Sequence, residues 1–351
     1  MIRGDSDPVD PVDPVDPVDP VDPTVIRPEA GGYINNLYMA NQLFNTRLHD
    51  RLGETQYTDV LTGEKRVTSM WLRNVAGHTN NKSGGNQLKT SSNRYVMQLG
   101  GDVAQWSDNG LDRYHIGLMA GYGRVSGKTS NNLTGYQAKS HIDGYSIGIY
   151  GTYYDNQEDK TGLYVDTWAL YNWFHNRVNG DYLAEEKYNA KGISASAETG
   201  YTFLMNETYS SNGNINRWFI QPKAQVTYSG VNMDNHTESN GTQVSGNGEN
   251  GIQTRLGVRL FGLGHALQDN PSDREFQPFV EANWIYNSTK IGVSMDGTQI
   301  NQSGTRNIGE IKAGLEGRLT KNTDIWFNVA QQVGTDNYTD TQGTLGVKVR
   351  F

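Results

Sequence analysis

The residues able to do chemistry are few and scattered. Among the seven histidines, His141, His175 and His236 fall close to Asp143, Asp181 and Asp234, in stretches expected to lie near loops. Paired His and Asp can run acid–base chemistry only when a scaffold holds them within hydrogen-bond reach, and solvated loop histidines are far commoner. There is no cysteine, which excludes disulfides and thiolate sites, and no His, Asp or Glu group has the spacing of a metal-ligand cluster. Arg3-Gly4-Asp5 matches an integrin-type tripeptide and Gly4-Asp5-Ser6 the start of an esterase-type motif, but both lie beside a proline repeat that cannot orient them. Catalytic, cofactor-binding and metal sites are therefore expected to be absent, and no enzyme activity is expected. What the chain does supply is mixed charge at alternate positions: Glu310, Lys312 and Glu316 in one segment, Arg255 and Arg259 in another, with Glu281 and Arg73 elsewhere. Such residues favour ion pairing in an enclosed, polar space.

The elements that would position them have a period of two. Leu345, Val347, Val349 and Phe351 alternate with Thr344, Gly346, Lys348 and Arg350; Ile311, Ala313 and Leu315 alternate with the charged trio. Tyr114, Ile116, Leu118, Ala120 and Tyr122 alternate with His115, Gly117 and Gly121. One face is apolar with aromatic ends, and the other is charged or tiny. That fits lipid outside and a wet lumen inside. Mean hydropathy is −0.67, and no apolar run approaches the roughly 20 residues that a spanning helix needs. A barrel escapes that test, because only every second residue meets lipid. A net charge of −8 argues against nucleic acid as the partner.

The expected fold is all-β: a 12-stranded antiparallel transmembrane β-barrel with one N-terminal α-helix inside the lumen. The segments fall at about 65–78, 91–106, 111–126, 138–154, 161–176, 190–206, 215–229, 251–262, 275–287, 305–319, 323–331 and 341–351. Long polar connections are expected after the first, third, fifth, seventh and ninth. This parity puts Phe351 and the start of the first strand in the periplasm, so the preceding helix runs through or under the lumen with its N-terminus outward. That helix is expected over 33–52, stopped by Gly53, with Asn36, Asn41, Asn45, Arg47, Asp50 and Arg51 facing the lumen wall. So many asparagines make it too weak to stand alone, and a polar tube would hold it. Upstream, 8–23 is a strict Pro-Val-Asp repeat. Proline at every third position favours polyproline II, and these residues would extend about 50 Å as a stalk. The domains are thus a stalk over 1–30, a lumen helix over 31–54 and a barrel over 55–351. The start lacks a signal-peptide pattern, so a longer product with more chain upstream is expected.

These residues together resemble the translocator domain of classical (type Va) autotransporters, near the diffuse-adherence adhesin type. The likeness spans Tyr33 to Phe351. Its markers are Arg47-Leu48-His49-Asp50-Arg51-Leu52-Gly53, then Trp71-Leu72-Arg73 with Gly77, and the terminal Thr344, Gly346, Val349 and Phe351, which resemble a signal for barrel assembly. That signal usually carries an aromatic where Val349 stands. The resemblance implies insertion into the Gram-negative outer membrane and surface display of an N-terminal passenger, an adhesin by the same likeness, with the helix left as a plug. It implies no cofactor. The implied partners are outer-membrane lipid, the chain's own passenger, the barrel-assembly machinery and periplasmic chaperones, with the barrel a monomer. Some relatives cut their linker inside the barrel at an Asn-Asn pair. Here Asn35-Asn36 lies two turns too early, and the matching position is Gln42-Leu43, so cleavage of this kind is not expected. The alternatives are a barrel that cleaves itself nonetheless and a porin-like solute channel.

Overall fold

The computed structural model describes residues 24–52, 69–156, 161–209, 215–265, 275–320 and 322–351. The Pro-Val-Asp repeat, the two short motifs at its start and the Gly53 stop lie outside the described residues. The elements are α1 (Pro28–Gln42), α2 (Leu48–Leu52), β1 (Ser69–Ser83), β2 (Leu88–Trp106), β3 (Arg113–Asn131), β4 (Gln137–Asn156), β5 (Thr161–Gly180), β6 (Glu185–Tyr209), β7 (Ile215–Met233), β8 (His236–Thr237), β9 (Gln243–Asn247), β10 (Gly251–His265), β11 (Glu275–Asn287), β12 (Gly292–Met295), β13 (Thr298–Ser303), β14 (Asn307–Thr320), β15 (Thr323–Gly334) and β16 (Thr339–Arg350).

Twelve of these, β1–β7, β10, β11 and β14–β16, pair antiparallel in chain order. The sheet closes where β16 meets β1, from Ser69 opposite Arg350 to Asn80 opposite Thr339. Closure leaves no spanning strand with an unpaired edge, which lipid requires. The alternation settles into two faces. Ile147, Ile149, Ile311 and Leu345 point outward and are exposed, whereas Glu310, Lys312 and Glu316 point inward and are buried.

The spanning strands run further toward the outer end than the hydrophobic pattern suggests. β1 continues to Ser83 and β2 starts at Leu88; β3 continues to Asn131 and β5 to Gly180. The long connections expected after the first, third and fifth segments shrink to turns at 84–87, 132–136 and 181–184. In these extensions both faces are polar (Thr79, Asn81 and Ser83 inside against His78, Asn80 and Lys82 outside), so no hydrophobic contrast marks them. The connections at 234–250 and 288–306 are indeed long, and they hold short strands that the sequence pattern did not reveal. β9, β12 and β13 pair in turn, β8 adds to β9, and β13 joins β1 through Lys82–Ser303 and Ser83–Gln302.

The helix also differs from a single element over 33–52. α1 begins at Pro28, whose ring suits the first helical turn. Gly31 and Gly32 are poor helix formers, but α1 passes close to the wall there: a Cβ on Gly31 would sit 2.5 Å from Thr129 Cγ2. α1 ends at Gln42, and α2 resumes at Leu48. Between them the wall supplies the backbone partners. The Thr46 carbonyl accepts from Trp168 Nε1 at 3.0 Å and from Gln225 Nε2 at 2.9 Å. A chain whose carbonyls are satisfied from outside need not continue its own helical ladder.

Candidate functional site

The lumen is filled along its length by this segment. Every α1 residue from Pro28 to Asn41 is buried, although no described helix is long and apolar enough to cross a membrane itself. At the outer end Arg27 pairs with Glu238 at 2.9 Å, and the Tyr33 hydroxyl donates to the same carboxylate at 2.9 Å. His236 stacks on Tyr188, with centroids 4.8 Å apart.

Asparagines hold the middle. Asn36 Nδ2 donates to the carbonyls of His141 and Arg177 and to the Tyr188 hydroxyl, at 3.1–3.4 Å. Asn41 donates to the Val231 carbonyl at 3.0 Å and accepts from its N–H at 3.1 Å. β10 stops pairing with β7 at Ser229, so the Asn41 amide takes the place of a neighbouring strand for that peptide. Asn45 bonds back to the Asn41 carbonyl. The weak helix former is thus the residue that docks best, because its amide is both donor and acceptor.

Charges hold the inner end. Arg47 reaches Asp50 at 2.8 Å, Glu310 at 2.7 Å and Glu281 at 3.2 Å. Asp50 also takes the Lys312 ammonium and lies 3.9 Å from Arg73. Arg51 pairs with Asp166 and lies over the Tyr150 ring, 4.3 Å from its centroid. On the wall, Lys223 meets Glu281 at 2.7 Å, Arg255 meets Glu310 at 2.6 Å, and Arg259 meets Glu316 at 2.9 Å. Arg259 also lies 3.7 Å from the Phe279 centroid. Each of these buried ions has an opposite partner, as burial demands.

Arg47, Asp50, Arg73, Arg255, Glu281, Glu310 and Lys312 come together in one network, while Arg259 and Glu316 form a separate pair in the wall. Asp166, Glu198, Lys223, Trp168 and Gln225 complete the site and escaped the sequence reading, although each shares its strand's inward parity. Gly77 has a packing reason. A Cβ there would meet the Arg94 guanidinium at 2.5 Å, and Arg94 is fixed by Asp340 at 2.5 and 2.7 Å. Beside the helix, a cavity of about 90 Å³ is lined by Tyr38, Arg47, Arg73, Arg94, Arg255 and Asp340 among others. It is polar and has room for several waters.

The terminal residues divide by face. Thr344 and Gly346 point inward and Val349 outward opposite Met70, while Phe351 lies beyond the last pair and is 75 % exposed. The histidine and aspartate candidates do not gather into a site. His141 and His175 lie on strands β4 and β5, not in loops, and bond Ser126 and Asn189. Asp143 pairs with Arg124 and Arg177, and Asp181 accepts from the Gln137 N–H.

The family described as autotransporter β-domain matches residues 70–330. The uncharacterized protein YdeU of Escherichia coli K12 is 49 % identical over 93 % of this chain and 70 % of its own length. The autotransporter adhesin AIDA-I of Escherichia coli is 40 % identical over 93 % of this chain, which spans 25 % of that relative. The crystal structure of the transport unit of AIDA-I superposes with a TM-score of 0.82 and 38 % identity, covering 93 % of this chain and 100 % of the other.

Proposed function

This chain belongs to the autotransporter β-domain family, and from that premise we propose that α1 and α2 are the plug left in the pore once the linked passenger has been displayed. As a translocator of this family it resides in the outer membrane and serves secretion and surface display of that passenger. The observation that carries the plug reading is the lumen network: Arg47 and Asp50 on the threaded chain share buried partners with Glu281, Glu310, Lys312 and Arg73 on the wall. Charges placed this way keep a polar chain in place and deny ions a path. A porin-like channel would need that space for water.

Adhesion by the passenger is part of the proposal, supported by the name of the AIDA-I relative. So is dependence on the barrel-assembly machinery and periplasmic chaperones, which rests on the terminal residues. A monomeric barrel fits the closed sheet. We also place no catalytic role in the lumen. Self-cleavage between Asn35 and Asn36 would need the Asn35 amide nitrogen free to attack its own carbonyl, and that nitrogen donates to the Ser140 hydroxyl at 3.3 Å. At Gln42 the side-chain oxygen accepts from Asn45 and Gln253.

The test fuses a signal peptide and an epitope upstream of the whole chain. The epitope should be removed by protease added to intact cells, and the membrane-retained fragment should keep its N-terminus. An epitope held in the periplasm would refute translocation. A new N-terminus at Asn36 or Leu43 would refute the non-catalytic reading alone.

A further inference from the structure

The outward faces of β1–β6 change character above the apolar band. At its upper edge Tyr122, Tyr145 and Trp173 stand in one row across β3, β4 and β5, with centroids 5.4 and 5.8 Å apart. Aromatics of this kind mark the membrane–water interface. Toward the outer end the next rows hold Arg124, then Arg177 opposite Lys187, then Lys128 opposite Lys139, and finally Lys82 opposite Lys89. Arg124 and Arg177 share Asp143, and Lys187 reaches Glu185 at 3.4 Å. Lys82, Lys89, Lys128 and Lys139 have no ion pair or hydrogen bond among the described residues.

Like charges directly opposite on one face of a sheet are destabilising. Here the arrangement occurs in three successive hairpins, and only in β5–β6 do carboxylates, Asp143 and Glu185, offset it. Lys89 pairs with Ser130 and Lys128 with Ser91, so the two pairs are diagonal neighbours and the four ammonium groups form one arc. The arc is one-sided. The outward faces of the other six spanning strands, β7, β10, β11 and β14–β16, carry no Lys or Arg among the described residues. A charge placed for solubility would ring the rim. Lysine stems can lie along the sheet while their heads stay at the headgroup depth, and the group that would offset four cations there is phosphate.

The geometry points to a docking surface on β1–β4 for a phosphorylated lipid of the outer leaflet, with Lys82, Lys89, Lys128 and Lys139 holding phosphates of a bisphosphorylated glycolipid headgroup. This rests on the outer-membrane placement and goes beyond the secretion function. The outward arc is separate from the lumen network, so losing it leaves plugging unchanged.

The test uses the full chain folded in detergent micelles. Bisphosphorylated lipid A, its dephosphorylated form and phosphatidylethanolamine are titrated in turn, and retained lipid is counted by native mass spectrometry. The intact chain should retain the bisphosphorylated lipid. The fourfold Lys→Gln variant at 82, 89, 128 and 139 should retain about tenfold less or weaker still, each lysine near an anionic surface contributing measurably, and the fourfold Lys→Arg variant should restore retention. Gel mobility before and after heating reports whether the barrel is intact in each variant, which separates loss of the site from loss of the fold. Equal retention by the intact chain and a folded Lys→Gln variant would overturn the proposal. So would retention by the intact chain that ignores the phosphates, and that arm decides even where the variant fails to fold.

Discussion

Asp50→Asn is the sharpest perturbation of the plug. The carboxylate takes Arg47 at 2.8 Å and the Lys312 ammonium, with Arg73 at 3.9 Å. The substitution keeps the shape and removes one charge. With the plug in place, Lys312 and Arg73 are then buried cations without that partner; with the plug out, water reaches both. The loss therefore falls on the plugged state. Removing one member of a buried pair costs about 3–5 kcal/mol. At tenfold per 1.4 kcal/mol, the ratio of open to plugged pores should rise roughly 10²- to several 10³-fold. Single-channel recording in planar bilayers reads this ratio directly. The intact chain should be mostly closed, Asp50→Asn should open often, and a chain lacking 28–52 should stay open. Adding Lys312→Met to Asp50→Asn removes the stranded ammonium and should recover part of the closed time. Asn45→Ala, which deletes a bond within the segment itself, should change the ratio far less. An open fraction for Asp50→Asn equal to that of the intact chain would refute the claim that these charges hold the plug. A steady high conductance of the intact chain would refute the plug itself.

Three further outcomes are expected. Deleting Phe351, which is unpaired and 75 % exposed, should slow insertion by the assembly machinery while leaving the unfolding temperature of assembled barrel nearly unchanged; equal insertion rates would count against a signalling role. Gly346→Ala should do the reverse, because a Cβ there would come within 2.0 Å of the Trp326 ring. Overpacking of this kind costs about 1–3 kcal/mol, and thermal unfolding in micelles would show it. In the outer connection 234–250, burial pushes the Glu249 carboxyl up, against a bond accepted from the Met233 N–H. A carboxyl raised in the folded state adds stability below its unfolded value, and that stability is lost as pH rises through the raised one. Unfolding curves from pH 4 to 8 should therefore show Glu249→Gln gaining on the intact chain as pH rises, and parallel curves would refute it.

Sequence contrast made part of this fold legible. In β14 the inward Glu310, Lys312 and Glu316 alternate with Ile311, Ala313 and Leu315, so the faces separate by eye. β5 defeats the same method: its inward Tyr164, Asp166, Trp168 and Phe174 alternate with the outward Val165, Tyr171 and Trp173. Both faces are aromatic there, and the partners of Arg51 and Thr46 stayed hidden. Register was out of reach for another reason. Period two assigns a face but not a height along the barrel, so the sequence placed Arg47 and Glu310 in one lumen without placing them 2.7 Å apart.

The loss of contrast has a physical cause that points back to the plug. A barrel with a water-filled lumen would be polar on every inward position, and its period would be clean throughout. Here the inward face is buried by protein over much of its height, and it takes the character of whatever packs on it. Where the segment presents Leu43 and Phe44, the wall answers with Phe174, stacked on Phe44 at 5.8 Å. It also answers with glycines: a Cβ on Gly123 would lie 2.6 Å from Leu43, and one on Gly121 would lie 2.9 Å from Phe44. Where the segment presents Arg47 and Asp50, the wall answers with charge. Gly121 and Gly123 are therefore not filler on a wet face. They are the seat of Leu43 and Phe44, and the variation of the inward face along the strands is the imprint of the chain that occupies the pore.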